Sequence, residues 1–115
     1  MKFKHIVSQP FANVFGKLLD STKFSEENHI SLARYFKKVK AESEIFLDRY
    51  KKISEELKEE PEKLKQKETE LLGCDIELQP GLEYPLVTKE TLTLREKIIL
   101  LPVLLNVPED LKGLE

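Results

Sequence analysis

Between residues 25 and 72 the apolar positions recur at alternating spacings of four and three. Leu32, Phe36, Val39, Phe46, Tyr50, Ile53 and Leu57 carry the series, and Ser43 is its one polar interruption. This heptad rhythm predicts a long α-helix with a single narrow packing seam. Ser25 is suited to cap its N-terminus, and Glu26 and Glu27 place negative charge at its positive end. From there to Glu60 the chain has neither Pro nor Gly. About 34 residues at 1.5 Å each give roughly 50 Å, more than the width of a small domain. Ala33, Ile45 and Leu47 are expected to widen the apolar stripe beyond the strict seam.

Pro61 is where the pattern divides. Inside a helix it removes a hydrogen bond and clashes with the preceding turn, at about 3 kcal/mol. As the first residue of a new helix it costs little, because its missing N–H falls where no partner exists. The preferred reading is therefore a turn over Lys58–Pro61 and a second helix over Glu62–Leu72 that ends at Gly73. The seam continues in phase to Leu64, Glu68 and Leu71, which suits one long kinked helix as the alternative.

The flanking segments change period. Lys2–Val7 reads as a short extended piece, and Pro10 can start a short helix whose one face holds Phe11, Val14, Phe15, Leu18 and Leu19. Asp20–Lys23 ends it. After Gly73, Asp75–Gln79 alternates, Pro80-Gly81 marks a turn, and Leu82–Val87 reads as extended, confined to a sheet edge by Pro85. Thr93-Leu94-Arg95-Glu96 is a capping box that announces a last helix, interrupted by Pro102. Its run from Ile98 to Leu105 is too apolar for exposure. Pro108–Glu115 reads as a solvated tail.

These pieces predict one mainly α domain over residues 1–115. Residues 1–24 form an extended segment and short helix, 25–72 a long helical hairpin or one long kinked helix. Residues 73–92 form a short extended, hairpin-like β segment, and 93–107 a C-terminal packing helix.

Composition narrows the function classes more than it selects one. No apolar run approaches the roughly 20 residues that cross a bilayer, and the first residues lack the pattern of a signal peptide. The one cysteine, Cys74, fits a reducing compartment. The cytoplasm, here a host cytoplasm with virion association as a variant, is the expected location. His5 and His29 are the only histidines and have no companions at metal-ligand spacing, so no metal and no cofactor is expected. There is no phosphate loop, nucleophile elbow or zincin motif, and no enzymatic activity is expected.

Charge is uneven. Residues 1–54 hold 11 Lys/Arg against 6 Asp/Glu, and residues 55–115 hold 8 against 15. The simpler expectation is that the halves fold together and neutralise each other; head-to-tail association or steering toward a charged partner is the other.

The order of elements resembles a family of small phage and prophage helical-hairpin proteins of unknown function. The likeness rests on "ISLARYFKKVKAESEIFLDRYKKI", "KLKQKETELLGCDIELQPGLEYPLV" and "LTLREKIILLPVLL", spanning roughly residues 25–105. It implies phage origin and a small helical architecture, with no activity attached. The chain departs from that pattern at the turn, where Glu59-Glu60-Pro61 stands in place of a longer polar, Gly-containing loop.

The expected partner is a protein, engaged by self-association or by docking on a phage or host protein. Candidate contact residues are the seam positions Phe36, Val39, Phe46, Tyr50 and Ile53, with Phe11 and Phe15 of the first helix. Aromatic anchors such as Phe46 and Tyr50 would dominate an interface. For most of the seam the simpler expectation is burial against Leu64, Leu71 and Ile98–Leu105 of the same chain. A rival expectation is nucleic-acid binding through Arg34, Lys37, Lys38 and Lys40, a basic stripe interrupted by Glu42, Glu44 and Asp48.

Overall fold

In the computed structural model, which describes residues 1–114, the long helix forms where the heptad pattern places it. This helix, α2, spans Glu26–Glu56, and the Ser25 side chain accepts a hydrogen bond from the Asn28 N–H at its start. One heptad position is fully used: Leu32, Val39, Phe46 and Ile53, seven residues apart, are all buried. The other is only partly covered, with Ser43, Tyr50 and Leu57 half-buried and Phe36 exposed. Ile45 and Leu47 do not widen the packed stripe; they are 55% and 59% exposed. Tyr35, outside the predicted seam, is buried in its place.

Helix α3 spans Pro61–Leu72, with Pro61 as its first residue. Between the helices the Leu57 N–H donates to Ile53 and the Glu60 N–H to Leu57, which closes a tight reversal. The chain returns along α2. The Phe3 N–H donates to the Cys74 carbonyl at 3.2 Å, and the Phe3 ring lies 5.6 Å from Phe46. The end of α3 is therefore back at the level of mid-α2, and the hairpin is the form the structure takes. The proline sits where it costs least.

The N-terminal segment is less extended than its sequence suggests. Only Lys2 makes a β-bridge, to Asp75, and Phe3–His5 then turns as a short 3-10 helix. A full strand would need a partner over its whole length, and residues after Asp75 leave the pairing once the Ile76 N–H has bonded to Met1. Helix α1 spans Gln9–Leu19, capped by Ser8, with Phe11, Val14, Phe15 and Leu18 buried. Each such side chain contributes about 1.5–3 kcal/mol of hydrophobic stabilisation.

The 73–92 region departs furthest from expectation. Asp75–Gln79 places Leu78 in the core but pairs with no strand beyond the Lys2 bridge. Strand β1 is only Leu82–Glu83, and Tyr84–Val87 coils into a short helix, α4. Pro85 falls in its first turn, a position that tolerates the missing N–H. β1 pairs in parallel with β2, Leu104–Leu105, in the register Leu82↔Leu104 and Glu83↔Leu105. The Gly81 N–H extends the pairing to Val103. Parallel neighbours need a long crossover, which α4 and α5 supply.

Helix α5, Leu94–Leu100, begins at the predicted capping box: the Glu96 N–H donates to the Thr93 hydroxyl and the Thr93 N–H to the Glu96 carboxylate. It ends earlier than expected, since Pro102 lies in a 3-10 turn over Leu101–Val103 that leads into β2. Asn106 follows in the left-handed region at φ 58°, which Asn tolerates, and donates to the Glu83 carboxylate. The predicted solvated tail instead forms α6, Glu109–Lys112, which buries Leu111. Of that segment Glu115 lies outside the described residues.

The main core gathers α1, the first half of α2, Leu78, Leu82, α5 and β2. Among the described residues three ion pairs cross between the basic and acidic halves: Lys2–Asp75 at 3.4 Å, Lys17–Glu96 at 3.3 Å and Lys23–Glu90 at 3.1 Å. Glu90 is held at about 2, well below the usual carboxylate range, by hydrogen bonds from Ser21, Lys23 and the Thr91 N–H. Part of the charge asymmetry is thus neutralised inside the fold.

Candidate functional site

The structure separates the predicted contact residues. Phe11 and Phe15 are 2% and 1% exposed, so α1 offers neither as a docking surface. Tyr35 and Phe36 of α2 lie 6.4 and 5.6 Å from the Phe15 ring, and the Phe11 ring lies 5.7 Å from Phe15. Val39, Phe46 and Ile53 are likewise buried within the chain. Phe36 and Tyr50 remain partly open; the Tyr50 ring stacks on Phe46 at 6.0 Å.

The basic residues fare differently. Arg34, Lys37, Lys38 and Lys40 are exposed, and none forms an ion pair with a described residue. Arg34 and Lys38, one turn apart, border a hollow of about 550 Å³ between α2 and residues 77–81. Glu42 and Glu77 line the same hollow, so its charge is mixed. Lys37 and Lys40 are not part of it.

His29 and His5 have separate partners. The His29 Nε2 lies 2.6 Å from the Ser21 carbonyl, and His5 Nδ1 accepts from the Lys2 N–H. Cys74 is exposed at the end of α3, its thiol directed at the Glu70 carbonyl at 3.4 Å. Among the described residues no group of three or more His, Cys, Asp or Glu is placed to hold a metal ion. Nor is any described helix long and apolar enough to cross a membrane.

A surface that the sequence pattern does not single out lies between α5 and the start of α1. Two capping arrangements build it. Ser8 accepts from the Phe11 N–H and brings Pro10 to the first turn of α1. Thr93 and Glu96 fix the first turn of α5, and Glu96 accepts from Lys17 of α1, which ties the two helices together. The Thr93 N–H, and secondarily Lys17, hold the Glu96 carboxyl below its ordinary value. Leu94 and Ile98, one turn apart, then face a hollow of about 780 Å³ with Pro10 and Ile99. It continues past Ile98 and Ile99 into a second hollow of about 220 Å³ bordered by Lys4, His5 and Pro102. Leu94 is 58% exposed. Among the described residues, Lys4 and Arg95 are the Lys and Arg of the lining, which includes no Asp or Glu.

The signal for this groove was present in the sequence but points the other way under a run-length reading. A seven-residue helix with apolar residues on nearly every side cannot bury all of them against one core. Leu100 and Leu101 take the buried side, Ile98 is half-buried against the core, and Leu94 is left outward.

Fold and surface together define a small, mainly α protein: a helical hairpin joined to a compact core, with an open apolar groove beside the core. Comparison with protein-family models, with curated proteins and with solved structures found no match.

Proposed function

We propose that this chain is a non-catalytic, phage-type accessory protein that works in the host cytoplasm through protein–protein contact. It does so by associating with itself or by docking on a phage or host protein. The observation that supports contact is the groove formed by Pro10, Leu94, Ile98 and Ile99, an apolar hollow left uncovered by a chain that buries Leu32, Val39, Phe46 and Ile53 of its heptad seam internally. Exposed apolar patches of this kind mark interaction sites. The phage-type part of the reading is supported by the resemblance in element order.

The test combines molar mass by light scattering, over a range of protein concentrations, with affinity capture from infected and uninfected cells. The expected result is a mass above the monomer, or a specific partner lost on Leu94→Asp. A strict monomer that retains no protein from either lysate overturns the reading.

One observation favours a second reading, a nucleic-acid-binding regulator. Lys2, Lys17 and Lys23 are engaged by acidic residues of the second half, whereas Arg34, Lys37, Lys38 and Lys40 on α2 carry no such partner among the described residues. A cationic helix face of this kind can track phosphates, and its binding weakens steeply with salt. Lys37→Glu/Lys38→Glu then abolishes binding to DNA or RNA at low salt. Unchanged binding, or none to begin with, removes this reading.

A further inference from the structure

Resting on the protein-contact reading, we infer that the α1–α5 groove takes an acidic amphipathic segment of a partner protein. An apolar side chain of that segment seats among Pro10, Leu94, Ile98 and Ile99, and carboxylates beside it meet Lys4 and Arg95.

Shape argues for an inserted side chain. The main hollow, about 780 Å³, is broad and open, with room for a side chain laid against Pro10, Leu94, Ile98 and Ile99. Leu94 and Ile98 stand one helical turn apart, the spacing at which the i and i+4 residues of a docked helix fall.

Charge chooses the partner's chemistry. The chain has 21 Asp/Glu against 19 Lys/Arg, yet none of the acidic residues among those described lines either part of this groove. Lys4 and Arg95 are exposed and form no ion pair with a described residue, unlike Lys2, Lys17 and Lys23 in the same part of the fold. A basic partner would meet two like charges at the rim, and a neutral one would leave both unanswered. Carboxylates complement them, which speeds encounter and makes it salt-dependent.

The experiment selects random linear peptides, in a display library, on the full-length protein, with counter-selection on Leu94→Asp. Binding of the enriched peptides is then measured by fluorescence anisotropy at low and physiological salt. Leu94 and Arg95 are exposed, so Leu94→Asp and Arg95→Glu should fold; an acidic residue in the first turn of α5 also suits the helix dipole. Thermal melts of both variants verify this. The expected peptides pair large apolar residues with Asp or Glu and do not bind Leu94→Asp. They lose about tenfold or more in affinity on Lys4→Glu/Arg95→Glu, and the loss shrinks as salt rises.

Neutral or basic peptides, or acidic ones that bind Lys4→Glu/Arg95→Glu equally well, overturn the inferred chemistry and leave the protein-contact reading standing. So does a dimer that Leu94→Asp dissolves, because the occupant is then a second copy of this chain. Binding to phosphatidylserine vesicles that Leu94→Asp abolishes overturns the inference in favour of a membrane surface. If no groove-dependent peptide emerges, the inference fails, while light scattering and affinity capture judge the broader reading independently.

Discussion

At the scale of single residues, Tyr35 and Gly81 form a close contact between α2 and the second half of the chain. The Tyr35 hydroxyl donates to the Gln79 carbonyl at 2.8 Å, and its buried ring lies against the Gly81 backbone. A Cβ added at Gly81 would stand 2.5 Å from the ring atom Cε2 and 2.7 Å from Cδ2. The ring stacks on Phe15 at 6.4 Å on one side and borders the hollow between α2 and residues 77–81 on another, so it must shift to admit the methyl group. Gly81→Ala should therefore destabilise the protein by about 1–3 kcal/mol, as overpacking does. Urea denaturation measures it, and an unchanged midpoint would mean the ring is free to move. Burial also pushes the Tyr35 phenol from 10.0 up to about 12, against a smaller opposing effect of the Gly81 backbone. The fold thus favours the neutral phenol. Its contribution is complete below pH 10 and is lost as pH rises from 10 toward 12. The wild type should lose stability more steeply across that window than Tyr35→Phe, and parallel pH profiles would show that another group governs the alkaline limb.

At the scale of elements, the role of Pro61 has a sign that can be measured. As the first residue of α3 it fits the helix and restricts the unfolded chain. Pro61→Ala should then cost about 0.4–1 kcal/mol. Had the proline sat inside one continuous helix, the same substitution would stabilise by about 3 kcal/mol. Equilibrium unfolding of the single variant distinguishes them. The hairpin was legible because Ser25, Pro61 and Gly73 mark helix ends by local chemistry that needs no tertiary information. The capping box at Thr93 was legible for the same reason. Residues 75–87 were not, because alternation alone does not supply a neighbouring strand. Leu78 and Leu82 face inward as the pattern suggests, yet β1 finds its partner in β2, beyond an intervening helix. The groove escaped notice on similar grounds: the run from Leu94 to Leu105 shows that these residues are apolar, not which of them the core has room for. Phe15 illustrates the converse, since its neighbours Tyr35 and Phe36 come from α2 and are invisible within α1's own sequence.

At the scale of the whole molecule, dimensions of 49 × 29 × 22 Å reflect a compact core with a helical arm. The core takes the first half of α2, as far as Val39. Beyond it, the second half of α2 is covered by α3 and by Phe3, and α3 has no fully buried residue. Leu57, Leu64 and Leu71 are each only half-buried. Local stability follows buried apolar contact, so the arm should open without the core. Hydrogen exchange measured by mass spectrometry should show α3 exchanging fastest among the long helices, the second half of α2 at an intermediate rate, and α1 with the first half of α2 slowest. Phe3 joins the arm to the chain's N-terminus through its ring contact with Phe46 and its N–H bond to Cys74. Phe3→Ala should therefore accelerate exchange in α3 and around Phe46 while leaving the protection of α1 close to that of the wild type. Uniform acceleration across all helices would mean that hairpin and core unfold as one unit. The main hollow of the groove lies on the core, whereas Lys4 shares the Phe3–His5 turn, so the same variant should keep the Leu94-dependent part of peptide binding and weaken only the contribution of Lys4. Binding lost together with α3 protection would couple the two halves of the molecule.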